Sequence, residues 1–208
     1  MTLVKKINAK ISRFADQYFY SELVGTYVVD TAQKLVLIDL PSYSKEIEKY
    51  LSSFKKPMFA LLSHGSCGIS DGTIWQQKIG LKVYLHQADK NSEWLRMRPD
   101  VLFVRPPKLA PNLEVILTPG HTPGSICVCE STSKALFTGD TFGGLPNGEI
   151  NDFLKGAGDF YGDLKERFVS CKKLLKYDFE NALPFHYEMI MHKAKESLLQ
   201  FVDLHVNS

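Results

Sequence analysis

A chain of 208 residues is long enough for one α/β domain with a substantial core. Its 44% hydrophobic and 23% charged residues are typical of an ordinary globular protein, and its net charge of +2 arises from interspersed basic and acidic residues. This balance excludes the clustered positive charge of a nucleic-acid-binding surface. We therefore expect a single domain over residues 1–208 with no nucleic-acid partner.

The N-terminal sequence and the cysteines predict a cytoplasmic protein. The opening MTLVKKINAK contains no apolar run long enough for a signal peptide or a membrane span, so no membrane association is expected. Four cysteines are too few for a disulfide framework in a chain of this length, and we expect them to be reduced: Cys67, Cys127, Cys129 and Cys171. The C-x-C at 127–129 has no second such pair, which argues against a structural zinc site.

Short apolar runs alternate with helical patterns along the chain, which predicts an α/β fold. The run from Leu35 to Ile38 is unbroken, as expected for a strand that is covered on both faces. Residues 125–138 predict a hairpin with a polar turn from Ser131 to Lys134. The predicted strands are 26–30, 34–39, 58–63, 82–86, 113–118, 125–130, 134–138 and 182–185.

Amphipathic helices are predicted between these runs. The first follows Ser42 or Ser44 as N-cap, and a later helix begins after Asp163, with Glu166 at the capping-box position. Their apolar residues recur at helical spacing. In chain order the three predicted stripes are Ile47, Tyr50, Leu51 and Phe54; Leu164, Phe168, Cys171 and Leu175; and Ile190, Ala194, Leu198 and Phe201.

The stretch 94–112 contains four prolines, which predict irregular structure throughout it. It also carries a tryptophan and several cations: Trp94, Arg96, Arg98, Arg105 and Lys108. A solvated connector and a loop that faces an anionic substrate are both consistent with this composition.

Four segments place a polar residue where an apolar strand ends. They are FALLSHGS with His64, EVILTPGHTPGS with His121, ALFTGDTFGG with Asp140, and ALPFH with His186. In layered α/β folds ligands bind at the carboxyl ends of strands, because the loops converge there. One histidine at a strand end is commonly a core residue, but three histidines and a carboxylate in equivalent positions predict a site for zinc or iron.

Glycines accompany two of these residues. Gly120 and Gly124 flank His121, and Gly139 precedes Asp140. We expect these glycines to adopt positive φ angles, which allow a tight loop to direct its side chain inward.

The order of the strands and the segments TPGHTPGS and FTGD resemble the metallo-β-lactamase superfamily. The resemblance extends from the strands before Asp39 to His186, nearly the whole chain. It implies a four-layer αββα sandwich, with two mixed β-sheets flanked by helices.

The chain departs from this superfamily in the first metal motif. The superfamily pattern is Thr-His-x-His-x-Asp-His, and His64 matches its first histidine. Ser66, Gly68 and Ile69 stand where the second histidine, the aspartate and the third histidine belong. The resemblance therefore implies a second metal site reduced to His186 and a shared Asp140, too few ligands for tight binding.

The first site retains His64, His121 and Asp140, so the resemblance implies one zinc or iron ion per chain. His186 is a further candidate metal ligand, a substrate-binding group, or a remnant of the second site. Asp140 and His186 are the candidate catalytic residues, since either could orient or deprotonate a water molecule. Asp71 is a replacement carboxylate or a helix cap, and Cys67 a reactive thiol or a small buried residue.

Three functions follow from this site. The first is a hydrolase with one metal ion acting on a small-molecule ester or thioester. The second is a mononuclear iron dioxygenase that resembles the persulfide dioxygenases of the superfamily. The third is a non-catalytic protein whose metal site has decayed. No motif in the sequence identifies the substrate or the oligomeric state.

Overall fold

The computed structural model describes residues 4–15, 17–19, 22–67, 71–155 and 162–206. By the contacts between its residues the chain divides into two compact units, Met1–Val104 and Arg105–Ser208. Each unit contains its own β-sheet and its own helices. The prediction of one domain over residues 1–208 stays a prediction.

The first unit contains a mixed sheet of seven strands. The described residues of this unit form nine strands, of which seven belong to the sheet. In chain order the nine are β1 Val4–Lys6, β2 Ile11–Phe14, β3 Tyr18–Phe19, β4 Glu22–Leu23, β5 Thr26–Asp30, β6 Leu35–Ile38, β7 Met58–Leu61, β8 Lys82–His86 and β9 Val101–Phe103. The sheet order is β1-β2-β5-β6-β7-β8-β9, while β3 and β4 form a separate pair. Pairing is antiparallel from β1 to β6 and parallel from β6 to β9. All four residues of β6 are buried, as the unbroken apolar run predicts.

Two helices belong to the first unit. Helix α1 spans Lys45–Ser52 and begins at Ser44, whose hydroxyl accepts a hydrogen bond from the Ile47 amide at 3.1 Å. Helix α2 spans Gly72–Ile79 and ends at Gly80, whose φ of 62° is the left-handed conformation common at helix C-termini. The short 3₁₀ helices are Gly65–Cys67 and Gln87–Asp89.

The prediction that 94–112 is irregular throughout was wrong at β9. Val101–Phe103 pairs in parallel with β8 at the edge of the sheet. The prolines that flank it lie at residues 99 and 106, outside the three paired positions, so they interrupt no ladder hydrogen bond.

The second unit contains a mixed sheet of four strands in sequence order: β10 Leu113–Leu117, β11 Ile126–Glu130, β12 Ala135–Gly139 and β13 Asn181–Pro184. The pairs β10-β11 and β11-β12 are antiparallel, and β12-β13 is parallel. The antiparallel pair β11-β12 confirms the predicted hairpin over 125–138.

The second unit also contains helix α3 at Leu164–Leu174, helix α4 at Ala194–Val206 and a 3₁₀ helix at Phe153–Lys155. Asp163 caps α3 as predicted, since its carboxylate accepts from the Glu166 amide at 2.9 Å. The predicted stripes of both helices pack into one core that includes Cys171, Leu198 and Phe201. Ile190 belongs to this core, but its assignment to the last helix was wrong: α4 begins at Ala194, and Ile190 instead exchanges backbone hydrogen bonds with Ala182. No helix among the described residues is long and apolar enough to cross a membrane.

Candidate metal centre

Three of the four predicted site residues lie together in the second unit. His121 follows β10, Asp140 directly follows β12, and His186 follows β13. These three strands run in the same direction, so their carboxyl ends lie along the same edge of the sheet. The fourth residue, His64, follows β7 in the first unit.

The carboxylate of Asp140 is the centre of this arrangement. Its Oδ2 lies 2.9 Å from Nδ1 of His186 and 3.4 Å from Nε2 of His121, and its Oδ1 lies 3.0 Å from the same Nδ1 of His186. The backbone amide of His186 also donates to Oδ1 at 3.2 Å. Only 7% of the Asp140 side chain is exposed, which strengthens these electrostatic contacts.

The hydrogen bond between His186 and Asp140 defines a protonation state. An ionised carboxylate can only accept hydrogen bonds, so Nδ1 of His186 carries the proton when Asp140 is charged. The two side chains therefore form a carboxylate–histidine pair, an arrangement that fixes the orientation of the imidazole ring.

The backbone around Asp140 explains how a residue after a buried strand reaches this position. Gly139 has a φ of 52°, and the register between β12 and β13 shifts between Phe137 and Gly139. The Phe185 amide donates to the Gly139 carbonyl at 2.9 Å, which holds the ends of the two strands together. The predicted positive φ of Gly139 is confirmed.

The loop that carries His121 is closed by its own hydrogen bonds. The Thr118 amide donates to the Ser125 carbonyl at 2.8 Å, and the Gly120 amide donates to the Thr122 carbonyl at 3.1 Å. Gly120 has a φ of 137°, as predicted. A Cβ at this position would lie 2.2 Å from the backbone nitrogen of Arg167, so no side chain fits. Gly124 does not adopt a positive φ, so the prediction of a positive φ at this glycine was wrong. The turn is closed instead by the side-chain hydroxyl of Ser125, which accepts a hydrogen bond from the Thr122 amide.

Helix α3 connects the loops of His121 and Asp140. Its cap residue Asp163 donates its amide to the Gly120 carbonyl at 2.7 Å. Ser170 donates its hydroxyl to the Pro119 carbonyl at 2.7 Å. The buried Arg167 donates Nε–H to the Thr141 carbonyl at 2.9 Å. No sequence pattern predicted these three hydrogen bonds, although a buried arginine in an amphipathic helix is the kind of exception that indicates a specific partner.

The backbone on both sides of His64 is held by two buried carboxylates of the first unit. Its Nδ1 lies 2.9 Å from the hydroxyl of Ser63, and only 1% of the residue is exposed. The amide before it, of Ser63, donates to Asp39, and the amide after it, of Gly65, donates to Asp89, at 2.7 and 2.8 Å. Because Nδ1 is engaged by Ser63, we expect Nε2 to be the metal-binding nitrogen of His64.

The structure describes only some of the residues in the first motif that differ from the superfamily pattern. Ser66 is partly buried, while Gly68 and Ile69 lie outside the described residues, as does the side chain of Cys67. Asp71 stands at the N-cap of α2 but makes no side-chain capping bond. Its carboxylate instead accepts from the Tyr43 amide at 2.7 Å, so the predicted cap is correct in position and wrong in its hydrogen bond.

The donor types in the second unit fit a metal ion. Two imidazoles around one carboxylate are ligands that zinc and non-haem iron both accept. A thiolate is not part of this set, because burial raises the pKa of Cys127 to about 11 and keeps its sulfur protonated between Thr118 and Thr141. Two of the three other histidines have side-chain partners elsewhere: His205 lies 3.1 Å from Asp152, and His86 lies 3.3 Å from the Val104 carbonyl.

Comparison with known proteins agrees with this geometry. Residues 110–190 match the family described as the metallo-β-lactamase superfamily. Over the whole chain the structure resembles a metallo-β-lactamase from Pontibacter korlensis, with a TM-score of 0.73, 22% identity and 99% of each chain covered. It also resembles the DIM-1 metallo-β-lactamase, with a TM-score of 0.77, 16% identity, and 99% of this chain and 97% of that one covered. The fold is that of these metallo-β-lactamases, which confirms the predicted fold class, while the match to the superfamily itself covers residues 110–190. Proteins of this superfamily typically bind metal ions.

Two curated relatives match shorter segments. A lactamase-like protein, nscB of Trichophyton rubrum, is 29% identical over 125 residues, which are 56% of this chain and 37% of that protein. An acyl-coenzyme A thioesterase, MBLAC2 of Gallus gallus, is 33% identical over 82 residues, which are 38% of this chain and 27% of that protein. The chain thus spans well under half the length of the curated relatives that it matches.

Proposed function

We propose that the protein is a hydrolase that uses one metal ion to cleave an ester or thioester of a small molecule. Zinc or iron would be held by His64, His121 and Asp140, with His186 beside it. The observation that carries the proposal is the buried carboxylate of Asp140, which has one ring nitrogen of His121 at 3.4 Å and one of His186 at 2.9 Å. A carboxylate so placed serves both metal binding and proton transfer.

Asp140 and His186 carry the proton chemistry of the proposed reaction. When bound, a metal ion lowers the pKa of a coordinated water towards about 7 and polarises the substrate carbonyl. Asp140 accepts the proton that the attacking water loses, and the N–H of His186 holds the carboxylate in position through their 2.9 Å bond. The water oxygen bonds to the acyl carbon, the bond from that carbon to sulfur or oxygen breaks, and the proton passes to the leaving group.

Two further observations support one ion and this substrate class. The motif around Ser66 lacks the second histidine, the aspartate and the third histidine of the superfamily pattern, which leaves too few ligands for a second ion. The thioesterase relative of Gallus gallus is 33% identical over its matched segment, which favours a thioester among the bonds cleaved by this fold.

Turnover of simple thioesters tests the proposal. We expect the protein to hydrolyse acetyl and octanoyl thioesters of N-acetylcysteamine, to lose this activity with a chelator, and to regain it with zinc or manganese. Asp140→Asn should lower kcat/KM by about 100-fold or more, because it removes the proton acceptor. Asp178→Asn is the matched control, since that side chain is 76% exposed and contacts Lys134.

Two results would overturn the proposal that the protein is a hydrolase. Oxygen consumption with a persulfide substrate, dependent on ferrous iron, would identify a dioxygenase instead. No turnover together with no bound metal under any loading condition would identify a non-catalytic protein.

A further inference from the structure

Tyr187, the residue after His186, has an unfavourable backbone conformation. Its φ of 71° lies in the left-handed region, which costs free energy for any residue with a Cβ. Among the described residues four other non-glycine residues have a positive φ: Asp39, Lys55, Lys134 and His192. Tyr187 has the largest side chain of the five. For a bulky residue such a conformation is an outlier.

The turn after β13 explains the conformation but not the residue type. The chain reverses there, because Ala182 and Ile190 exchange backbone hydrogen bonds of 2.8 and 3.0 Å. Glu188 likewise exchanges bonds of 2.9 and 3.0 Å with Gly144. A turn that needs a positive φ is formed most cheaply by glycine. A tyrosine at this position must therefore contribute through its side chain.

The tyrosine ring lies beside the catalytic pair. The rings of His186 and Tyr187 have their centroids 6.4 Å apart at an interplanar angle of 67°. Gly143 makes room for this placement, since a Cβ there would lie 2.8 Å from Cβ and 2.9 Å from Cδ2 of Tyr187. Yet 49% of Tyr187 is exposed. Half of an aromatic residue is thus presented to solvent next to the histidine that binds Asp140.

We infer that Tyr187 is a specificity-determining residue whose exposed ring forms an apolar contact for the acyl chain of the substrate. The inference rests on the proposed hydrolase and adds to it a preference for acyl groups longer than acetyl. An acyl chain that covers the ring loses contact with water, which favours binding in proportion to the area covered. The residue contacts the substrate and takes no part in proton transfer.

Packing against Gly143 is the competing explanation for the tyrosine. The two explanations predict opposite changes in stability. If Tyr187 serves mainly to pack, removal of its ring lowers the melting temperature. If it serves the substrate, Tyr187→Gly relieves the backbone cost and the melting temperature is unchanged or higher.

Kinetics with two chain lengths test the inference. Tyr187→Gly should lower kcat/KM for the octanoyl thioester about tenfold more than for the acetyl thioester. Tyr187→Phe should retain the preference of the unmodified protein, because the ring remains. His192→Gly is the matched control: it also replaces a residue at positive φ, 66°, but its side chain is exposed and it should leave both substrates unaffected.

If Tyr187→Gly lowers kcat/KM equally for the two substrates, or for neither, the inference is overturned. A fall of the melting temperature in Tyr187→Gly that His192→Gly does not show would also overturn it. Calorimetric binding of the non-hydrolysable S-octyl and S-ethyl thioethers of N-acetylcysteamine tests the inference about Tyr187 separately from the proposed function. Octyl binding that depends on Tyr187 in a protein without turnover would support the inference and refute the hydrolase. Turnover without a chain-length effect of Tyr187, or absence of octyl thioether binding, would refute the inference alone.

Discussion

At the scale of single residues, one carboxylate contacts two histidines that are far apart in the sequence. Asp140 lies within 3.4 Å of ring nitrogens from His121 and His186, and its side chain is almost fully buried. A buried acid is stable only when it is paired and hydrogen-bonded, and here the partners are themselves metal-ligand types. The same contacts that satisfy the acid therefore bring together candidate metal ligands.

Metal content should depend on His121. We expect His121→Ala to lose stoichiometric zinc or iron, because it removes one of three ligands. The melting temperature of the metal-free variant should lie within about 2–4 °C of the metal-free unmodified protein, since the loop of His121 carries little of the core. Elemental analysis and thermal unfolding measure both effects. His192→Ala serves as control, and unchanged metal content in His121→Ala would refute the ligand assignment.

At the scale of elements, the hairpin of β11 and β12 is closed by a buried acid. Glu130 ends β11, and its carboxylate accepts hydrogen bonds from Ser133, Thr132 and Asn112. Burial, the largest single effect, opposes ionisation, but the hydrogen bonds together outweigh it and lower the pKa of Glu130 to about 2. The predicted polar turn from Ser131 to Lys134 is thus organised around a charged side chain.

Acid should weaken this hairpin. The folded pKa of Glu130 is about 2 against an ordinary 4.5, so its contribution is present above about pH 4.5 and is lost as the pH falls towards 2. The contribution is at most about 3 kcal/mol. Urea unfolding at pH 3 and pH 6 should show a smaller difference in Glu130→Gln than in the unmodified protein. A variant at the exposed Glu149 should behave like the unmodified protein, and an equal pH effect in Glu130→Gln would contradict the assignment.

At the scale of the whole molecule, the candidate ligands are divided between two compact units. His64 belongs to the unit with the seven-stranded sheet, whereas His121, Asp140 and His186 belong to the unit with the four-stranded sheet. Each unit places its ligands after the carboxyl ends of its strands, which is where loops of α/β folds bind ligands. The second unit also contains all of the residues that match the superfamily, 110–190.

One metal ion per chain is expected at saturation. The first motif has lost three of its four superfamily ligands, so the remaining residues suit one site and not two. Elemental analysis of protein purified without a chelator or a metal-affinity tag should find at most about one zinc or iron per chain. Two tightly held ions per chain would show that further residues act as ligands.

Most of the elements and the candidate ligands could be predicted from the sequence, because local patterns indicate both. Apolar runs located eight of the strands to within about two residues, and polar residues at strand ends identified His121, Asp140 and His186. Five strands of the described residues were missed, β1 to β4 and β9, each of two to four residues. At the sheet edge, β1 reads VKK and its residues are largely exposed, so it shows no apolar alternation.

Contacts between groups far apart in the sequence could not be predicted from local patterns. Asp140 and His186 are 46 residues apart, and Arg167 reaches Thr141 across 26 residues. Such contacts depend on the register of β12 with β13 and on the packing of α3, neither of which a local pattern specifies. The strained φ of Tyr187 is likewise imposed by a turn between β13 and the returning chain, where local preference alone would favour glycine.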